Sequence, residues 1–166
     1  MQAVDIAGEP VPSAITNRIA QGLVEAVSAW TGGKFSSKVE IGPDTREGID
    51  GWVTVKFYNP SDSTACGRSE VAGTRIWLDY LDPKCRCSGV VAPSIVAHEV
   101  GHALGFWHVD NPKDVMYRQL TSCDLTPSDR EKSHAAIAYL RPIGNADPDS
   151  DPSATIFRVR DKVVIE

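Results

Sequence analysis

The sequence lacks a C-x-x-C pair, any long apolar run, a surplus of positive charge and, apart from four side chains, histidine. Each absence excludes something. With 17 Lys and Arg against 22 Asp and Glu, the formal net charge of -5 leaves no excess to neutralise a phosphate backbone, so no nucleic-acid partner is expected. No stretch approaches the roughly 20 apolar residues of a membrane-spanning helix, so no membrane partner is expected either. The opening MQAVDIAGEPVP has neither the basic start nor the apolar run of a secretion signal; Met1 reads as an added start, and any signal or pro-segment is expected to lie outside the sequence given. Without C-x-x-C spacing, a zinc ribbon or a dithiol redox motif is a poor match.

What is present suits one globular domain: 166 residues, 42% hydrophobic and 23% charged, enough apolar material for a core. The even set Cys66, Cys85, Cys87 and Cys123 reads as two disulfides rather than four buried thiols. A Cys85 to Cys87 bridge would close too tight a ring, so one of that pair should reach Cys66 and the other Cys123, with both pairings open. Either bridge to Cys123 closes a loop of about 36 to 38 residues, worth on the order of 3 to 4 kcal/mol in the loop-entropy model. Such bridges need an oxidising compartment, so a secreted, extracellular protein is expected.

Periodicity orders the elements as helix, strands, helix, helix. Ser13 reads as the cap of a helix in which Ile15, Ile19, Leu23, Ala26 or Val27, and Trp30 recur at helical steps, stopped by Gly32 and Gly33. Residues 38–41 read as a weak strand. Residues 52–58 alternate clearly, with Val53, Val55 and Phe57 on one face, and 74–80 alternate again, with Ile76, Leu78 and Tyr80 opposite Arg75, Trp77 and Asp79. Between them, 59–73 reads as a polar loop tied by Cys66; Asp62 and Glu70 are its candidate calcium ligands, though a solvated loop is the favoured reading. Pro93 opens a second helix to about Leu104, and Thr126-Pro127-Ser128-Asp129 caps a third ending near Leu140. After Arg141 the chain is acidic and proline-rich; Asp147, Asp149 and Asp151 lack the glycine and glutamate of a calcium loop, and 156–159 with 163–165 form a candidate hairpin.

One segment carries chemistry. His98-Glu99-Val100-Gly101-His102-Ala103-Leu104-Gly105-Phe106-Trp107-His108 fits H-E-x-x-H-x-x-G-x-x-H at every fixed position, a chance match on the order of 10⁻⁷ per start. His98 and His102 are one helical turn apart, so their imidazoles leave the same face and can meet one ion, while Glu99 can reach a water beside it. A third histidine on a continuing helix would point well round from the others; Gly105, free to adopt positive φ, lets the chain turn and bring His108 back. Three neutral imidazoles leave one tetrahedral position of Zn²⁺ open, as catalytic rather than structural zinc sites do. The opposite helical face, Val96, Val100 and Ala103, is expected to pack on the core.

On these residues the chain resembles the metzincin metalloendopeptidases, and with Met116 followed directly by Tyr117 it is most similar to their matrixin branch, of the bacterial type. The resemblance spans about residues 13–141, through Trp30, the two alternating strands and the last helix. It implies an α+β fold: a small twisted mixed sheet with two helices in an upper subdomain, about 1–105, and a short lower subdomain, about 106–141, with a methionine turn at Met116 and the C-terminal helix. Residues 142–166 would be a linker and hairpin packed on that same domain.

The resemblance also implies zinc on His98, His102 and His108, Glu99 as general base and then acid, and Gly105 and Met116 in support. An extended peptide is expected to lie antiparallel to the 74–80 strand, making Thr74, Ile76, Trp77 and Tyr117 the substrate-binding candidates, with 116–120 as the lower wall of the cleft. The chain departs from matrixins in having no histidines left for their second, structural zinc, since His134 sits alone on the last helix. Arg118 stands where they place proline and Val109 where they place serine, no cysteine-switch segment is present, and the cysteines and the tail are additions. The expected function is a monomeric, secreted zinc endopeptidase acting on peptide or protein substrates. The alternatives are a catalytically silent zinc-containing binding module and a narrow processing protease with one partner.

Overall fold

The chain enters its first helix, α1 (Ser13–Thr31), from Pro12, which cannot itself donate a backbone hydrogen bond, and leaves it at Gly32 in the left-handed region, φ 59°. Ser13 is the first helical residue rather than the cap: the Pro12 carbonyl already accepts from the Ile15 and Thr16 amides, so the helix begins one residue early. In the computed structural model, which describes residues 4–42, 46–49, 51–58, 65–120, 122–139 and 164–165, α1 lies against the helix that carries the histidines. Trp30 fixes that contact. Its ring is fully buried, its indole N–H donates to the Ala97 carbonyl at 2.8 Å, and it stacks on Phe106 with centroids 4.9 Å apart.

The sheet comprises β1 (Thr54–Tyr58), β2 (Gly67–Glu70) and β3 (Arg75–Asp79), with β3 in the middle. β3 runs parallel to β1, pairing Val55 with Ile76 and Phe57 with Leu78, and antiparallel to β2, pairing Gly67 with Leu78 and Ser69 with Ile76. Ile76, Leu78 and Tyr80 are buried on the core face, as their alternation predicts. Residues 38–41 form no strand, and residues 67–70, placed in a polar loop by the sequence pattern, form β2 instead. The polar run Gly-Arg-Ser-Glu shows no apolar alternation because its inner face meets a carboxylate, not the oily core.

A two-residue turn, Ser88 and Gly89 both at positive φ, joins the short strands β4 (Arg86–Cys87) and β5 (Val90–Val91). Two helices complete the domain, α2 (Pro93–Ala103) and α3 (Asp129–Tyr139), and none of the described helices is long and apolar enough to cross a membrane. A last strand, β6 (Val164–Ile165), pairs antiparallel with the outer edge of β2. The remainder of the candidate hairpin, Asp147, Asp149 and Asp151, and Asp62 lie outside the described residues.

The disulfides join Cys66 to Cys85 and Cys87 to Cys123, across 19 and 36 residues of sequence. One ties the start of β2 to the turn Pro83–Cys85; the other ties β4 to the segment beyond Met116. A cavity of about 580 Å³ lies between α1, residues 36–42 and β1, lined by Leu23, Val27, Val55 and Leu104. It touches none of the histidines.

Candidate metal centre

α2 starts at Pro93, whose missing N–H costs nothing in a first turn, and it is buried almost all round from Ser94 to His102. Its interior contact is too close for any side chain at Gly101: a Cβ there would overlap Met116 Sδ and the Trp30 indole. The methionine thus sits directly beneath the helix turn between His98 and His102. Past Ala103 the chain reverses at Gly105, φ 101°, where a Cβ would have room but an L side chain would be strained.

That reversal brings three ring nitrogens together. His98 Nε2 lies 3.1 Å from His102 Nε2 and 3.2 Å from His108 Nε2, and the His102 to His108 separation is 3.2 Å. Two of the rings have their far nitrogens engaged: His98 Nδ1–H donates to the Val115 carbonyl at 2.6 Å and His102 Nδ1–H to the Phe106 carbonyl at 2.8 Å. Both Nε2 atoms therefore present lone pairs to one another, an arrangement that repels unless a cation lies among them. Tetrahedral bonds of about 2.0–2.1 Å place ligand nitrogens about 3.3–3.4 Å apart, so the trio fits one Zn²⁺.

Burial keeps the rings neutral and ready to ligate. It is the largest influence on each, pushing His98 down to about 3 and His102 to about 4, against the carbonyl hydrogen bonds that oppose it. His108 is lowered too, by burial first and then by the charge of Arg118.

Glu99 is buried on the same helix, and burial pushes its carboxyl up to about 7 while a hydrogen bond from Ser69 opposes the rise. The Ser69 hydroxyl donates to Glu99 Oε2 at 2.6 Å from β2. Two positions away on the same strand face, a Cβ at Gly67 would overlap the Glu99 carboxyl. β2 thus cradles the carboxylate with one hydroxyl and one absent side chain.

Below, Met116 is almost fully buried and its turn is held by a second carboxylate. Glu131 accepts the amides of Met116 at 2.9 Å and Val115 at 3.2 Å, and of Ser128 at 2.8 Å, while its own amide is 3.3 Å from Ser128 Oγ. This is a capping box at the start of α3 whose glutamate also fastens the turn that orients His98. Asp114 beside it is buried and paired with Arg130.

The candidates for substrate contact are scattered. Ile76 is 1% exposed in the core, and Thr74 and Trp77 lie on or beside β3, whose backbone is already paired on both sides; the Thr74 carbonyl accepts the Thr54 amide at 2.7 Å. An extended peptide needs unpaired N–H and C=O groups, so the expectation that it adds to 74–80 is corrected: the strand beside the histidines is β2. Tyr117 is partly buried beyond the turn, bridged to Val109, and is not among the clustered ligands. Glu70 is buried within 3.7 Å of Arg75 and is not grouped for calcium; the other acidic group, Asp79, Asp82 and Cys85, has its thiol in a disulfide. His134 is exposed on α3. Sequence reasoning missed Gly67, Ser69, Gly101 and Glu131. Only Glu131 left a signal, as the glutamate three residues after Ser128.

Three imidazoles from an H-E-x-x-H helix and a glycine-reversed loop, over a buried methionine turn, form a group that could hold one metal ion. A model of one family, Matrixin, matches residues 28–135, from within α1 to within α3, and the chain belongs to that family. No curated protein matches the chain. Membership carries the family's general character, a zinc metalloendopeptidase of α+β fold acting on peptide or protein substrates.

Proposed function

We propose that His98, His102 and His108 hold one Zn²⁺ through Nε2 and that Glu99 is the general base of a peptide-bond hydrolysis. The observation that carries this reading is the convergence of the three Nε2 atoms to 3.1–3.2 Å, two with their Nδ1–H groups committed elsewhere. Zinc so held would supply Lewis acidity toward water and toward the scissile carbonyl oxygen. Glu99 takes the proton of the attacking water and passes it to the leaving amine nitrogen. Burial raises the Glu99 carboxyl, which favours its taking up the water proton, and a divalent ion held by the adjacent rings would favour its ionised form, which lets it act first as base. Ser69 holds Oε2 so that the carboxylate meets the water at one angle rather than several.

The peptide lies along the outer edge of β2, extended and antiparallel, with the segment after Met116 as the opposite wall. Gly67 and Ser69 are the edge residues: the Cys66 carbonyl accepts the Asp79 amide at 3.0 Å, so strand alternation turns the next residue and Ser69 outward. The two disulfides suit an oxidising compartment, and the protein is proposed to be secreted and to act as a monomer.

Metal analysis paired with a peptide-library digest tests this reading. The expected result is one zinc per chain and cleavage abolished by a chelator and restored by Zn²⁺. Chelator-insensitive cleavage, or a zinc-replete protein that cuts nothing in the library, would overturn it; the latter outcome would favour a zinc-containing binding module.

A further inference from the structure

β2 has two edges, and both are occupied. β3 takes the inner one; Val164 and Ile165 take the outer one, Ile165 opposite Ser69 and Val164 opposite Glu70. Ser69 is also the residue whose hydroxyl touches Glu99, so the chain's own strand pairs with the residue that holds the base and lies on the edge just argued to receive a peptide. Its direction is antiparallel, that of an added substrate strand. By the alternation along β2, Ser69 turns its N–H and C=O outward, so Ser69 with Ile165 is the pair that exchanges main-chain hydrogen bonds. The local sequence suits the role: Val163, Val164 and Ile165 are consecutive β-branched residues after the charged Asp161 and Lys162.

We propose that the segment ending in Val164 and Ile165 is a tethered competitor strand, which fills the peptide-binding edge of β2 until a longer substrate strand displaces it. The inference rests on the reading of that edge as the substrate site. Two residues of pairing are weak by themselves, but a tether on the same chain supplies an effective concentration on the order of millimolar, enough to hold the edge part of the time. A full-length peptide, pairing along more of β2 and reaching the opposite wall, outcompetes it. Occupancy of this kind raises KM and leaves kcat alone.

The test compares the full chain, an Ile165→Pro variant, which removes the N–H facing Ser69, and a chain ending at residue 141. Amide exchange is read first, on zinc-loaded protein without substrate. The Ser69 amide should exchange at least about tenfold faster in both altered chains while the amide of Trp77, inside the sheet, is unchanged; equal Ser69 exchange in all three overturns the docking. Hydrolysis of an extended peptide is read second, with KM falling roughly two- to tenfold at constant kcat in the altered chains, and a synthetic DKVVIE peptide raising it again. Equal KM values overturn the competitor role. If no form cleaves any peptide, the protease reading falls by itself, while the exchange result still decides whether Ile165 sits on Ser69.

Discussion

Two walls meet at the candidate site, and they are specified in different ways. The α2 wall, from Pro93 through His108, places its groups by covalent spacing: one helical turn sets His98 against His102, and one residue at φ 101° returns His108 to them. The β2 wall places Gly67 and Ser69 by sheet topology alone, through pairing with β3 and a disulfide at Cys66. Spacing along a helix is written in the sequence; pairing across a sheet is not. The ligands are therefore legible from a motif, and the cradle around Glu99 only from the fold.

Glu99→Gln breaks the comparison most sharply, because it belongs to both walls. The amide keeps the shape and removes the base, so kcat should fall by about 10²- to 10⁴-fold with zinc content unchanged by metal analysis. Gly67→Ala acts from the other wall only. The new methyl must displace the Glu99 carboxyl, and a misplacement near 1 Å costs on the order of 100-fold in kcat. Zinc stoichiometry should not change. A Gly67→Ala enzyme with normal kcat would show that β2 does not shape the base.

Removing the metal sharpens the comparison through pH. The Glu99 carboxyl is raised from its usual 4.5 to about 7 by burial, so its neutral form is the one the folded state prefers. That contribution is fully present below pH 4.5 and is lost as pH rises through 7, to the extent of about 3 kcal/mol. The buried histidines act in the opposite sense, losing stability as pH falls below their usual 6.5, because unfolded rings take protons that His98 and His102 refuse until about 3 and 4. In chelated protein, Glu99→Gln should match the parent in stability near pH 4 and exceed it by about 3 kcal/mol at pH 8, as read by urea unfolding. A constant difference across that range would mean that burial does not hold the carboxyl neutral.

Glu131→Gln probes the support under the α2 wall. The amide offers fewer acceptors to the amides of Val115, Met116 and Ser128, so unfolding free energy should drop by about 1–3 kcal/mol. Because the Val115 carbonyl orients His98, zinc affinity should fall by about 10- to 100-fold, measured by competition with a chelator. A loss of stability at unchanged affinity would confine Glu131 to capping α3.

Legibility follows the same division. The amphipathic stripe of α1, the alternation in β3, the proline that opens α2 and the glycine that turns the chain to His108 are all local, and each is found where its pattern falls; of the 52–58 pattern, Thr54–Tyr58 is strand while Val53 is exposed outside it. β2 was hidden because its inner face carries glycine and serine against a carboxylate, leaving no apolar period to read. The weak 38–41 pattern forms no strand, since a few alternating side chains bring no hydrogen-bonding neighbour. The place of 74–80 in the sheet is illegible for a related reason: alternation identifies a strand but cannot tell an inner position from an outer one, and this strand is paired on both sides. Cysteine arithmetic narrowed the bridges to two pairings, and only three-dimensional proximity chooses Cys66 with Cys85.

The smallest expected effect is the most discriminating. Ser69→Ala removes one hydroxyl from a fully buried position and leaves Gly67, the histidines and the sheet hydrogen bonds in place. A hydrogen bond to a charged group contributes about 1.5–3 kcal/mol, part of which Glu99 recovers by bonding to water, so kcat should fall roughly tenfold. KM and zinc content should stay constant, since the proposed peptide pairing uses the Ser69 backbone rather than its side chain. A fall in kcat alone marks Ser69 as a positioning residue acting through Glu99. If KM rises instead, β2 has shifted, and the strand then serves substrate binding without orienting the base.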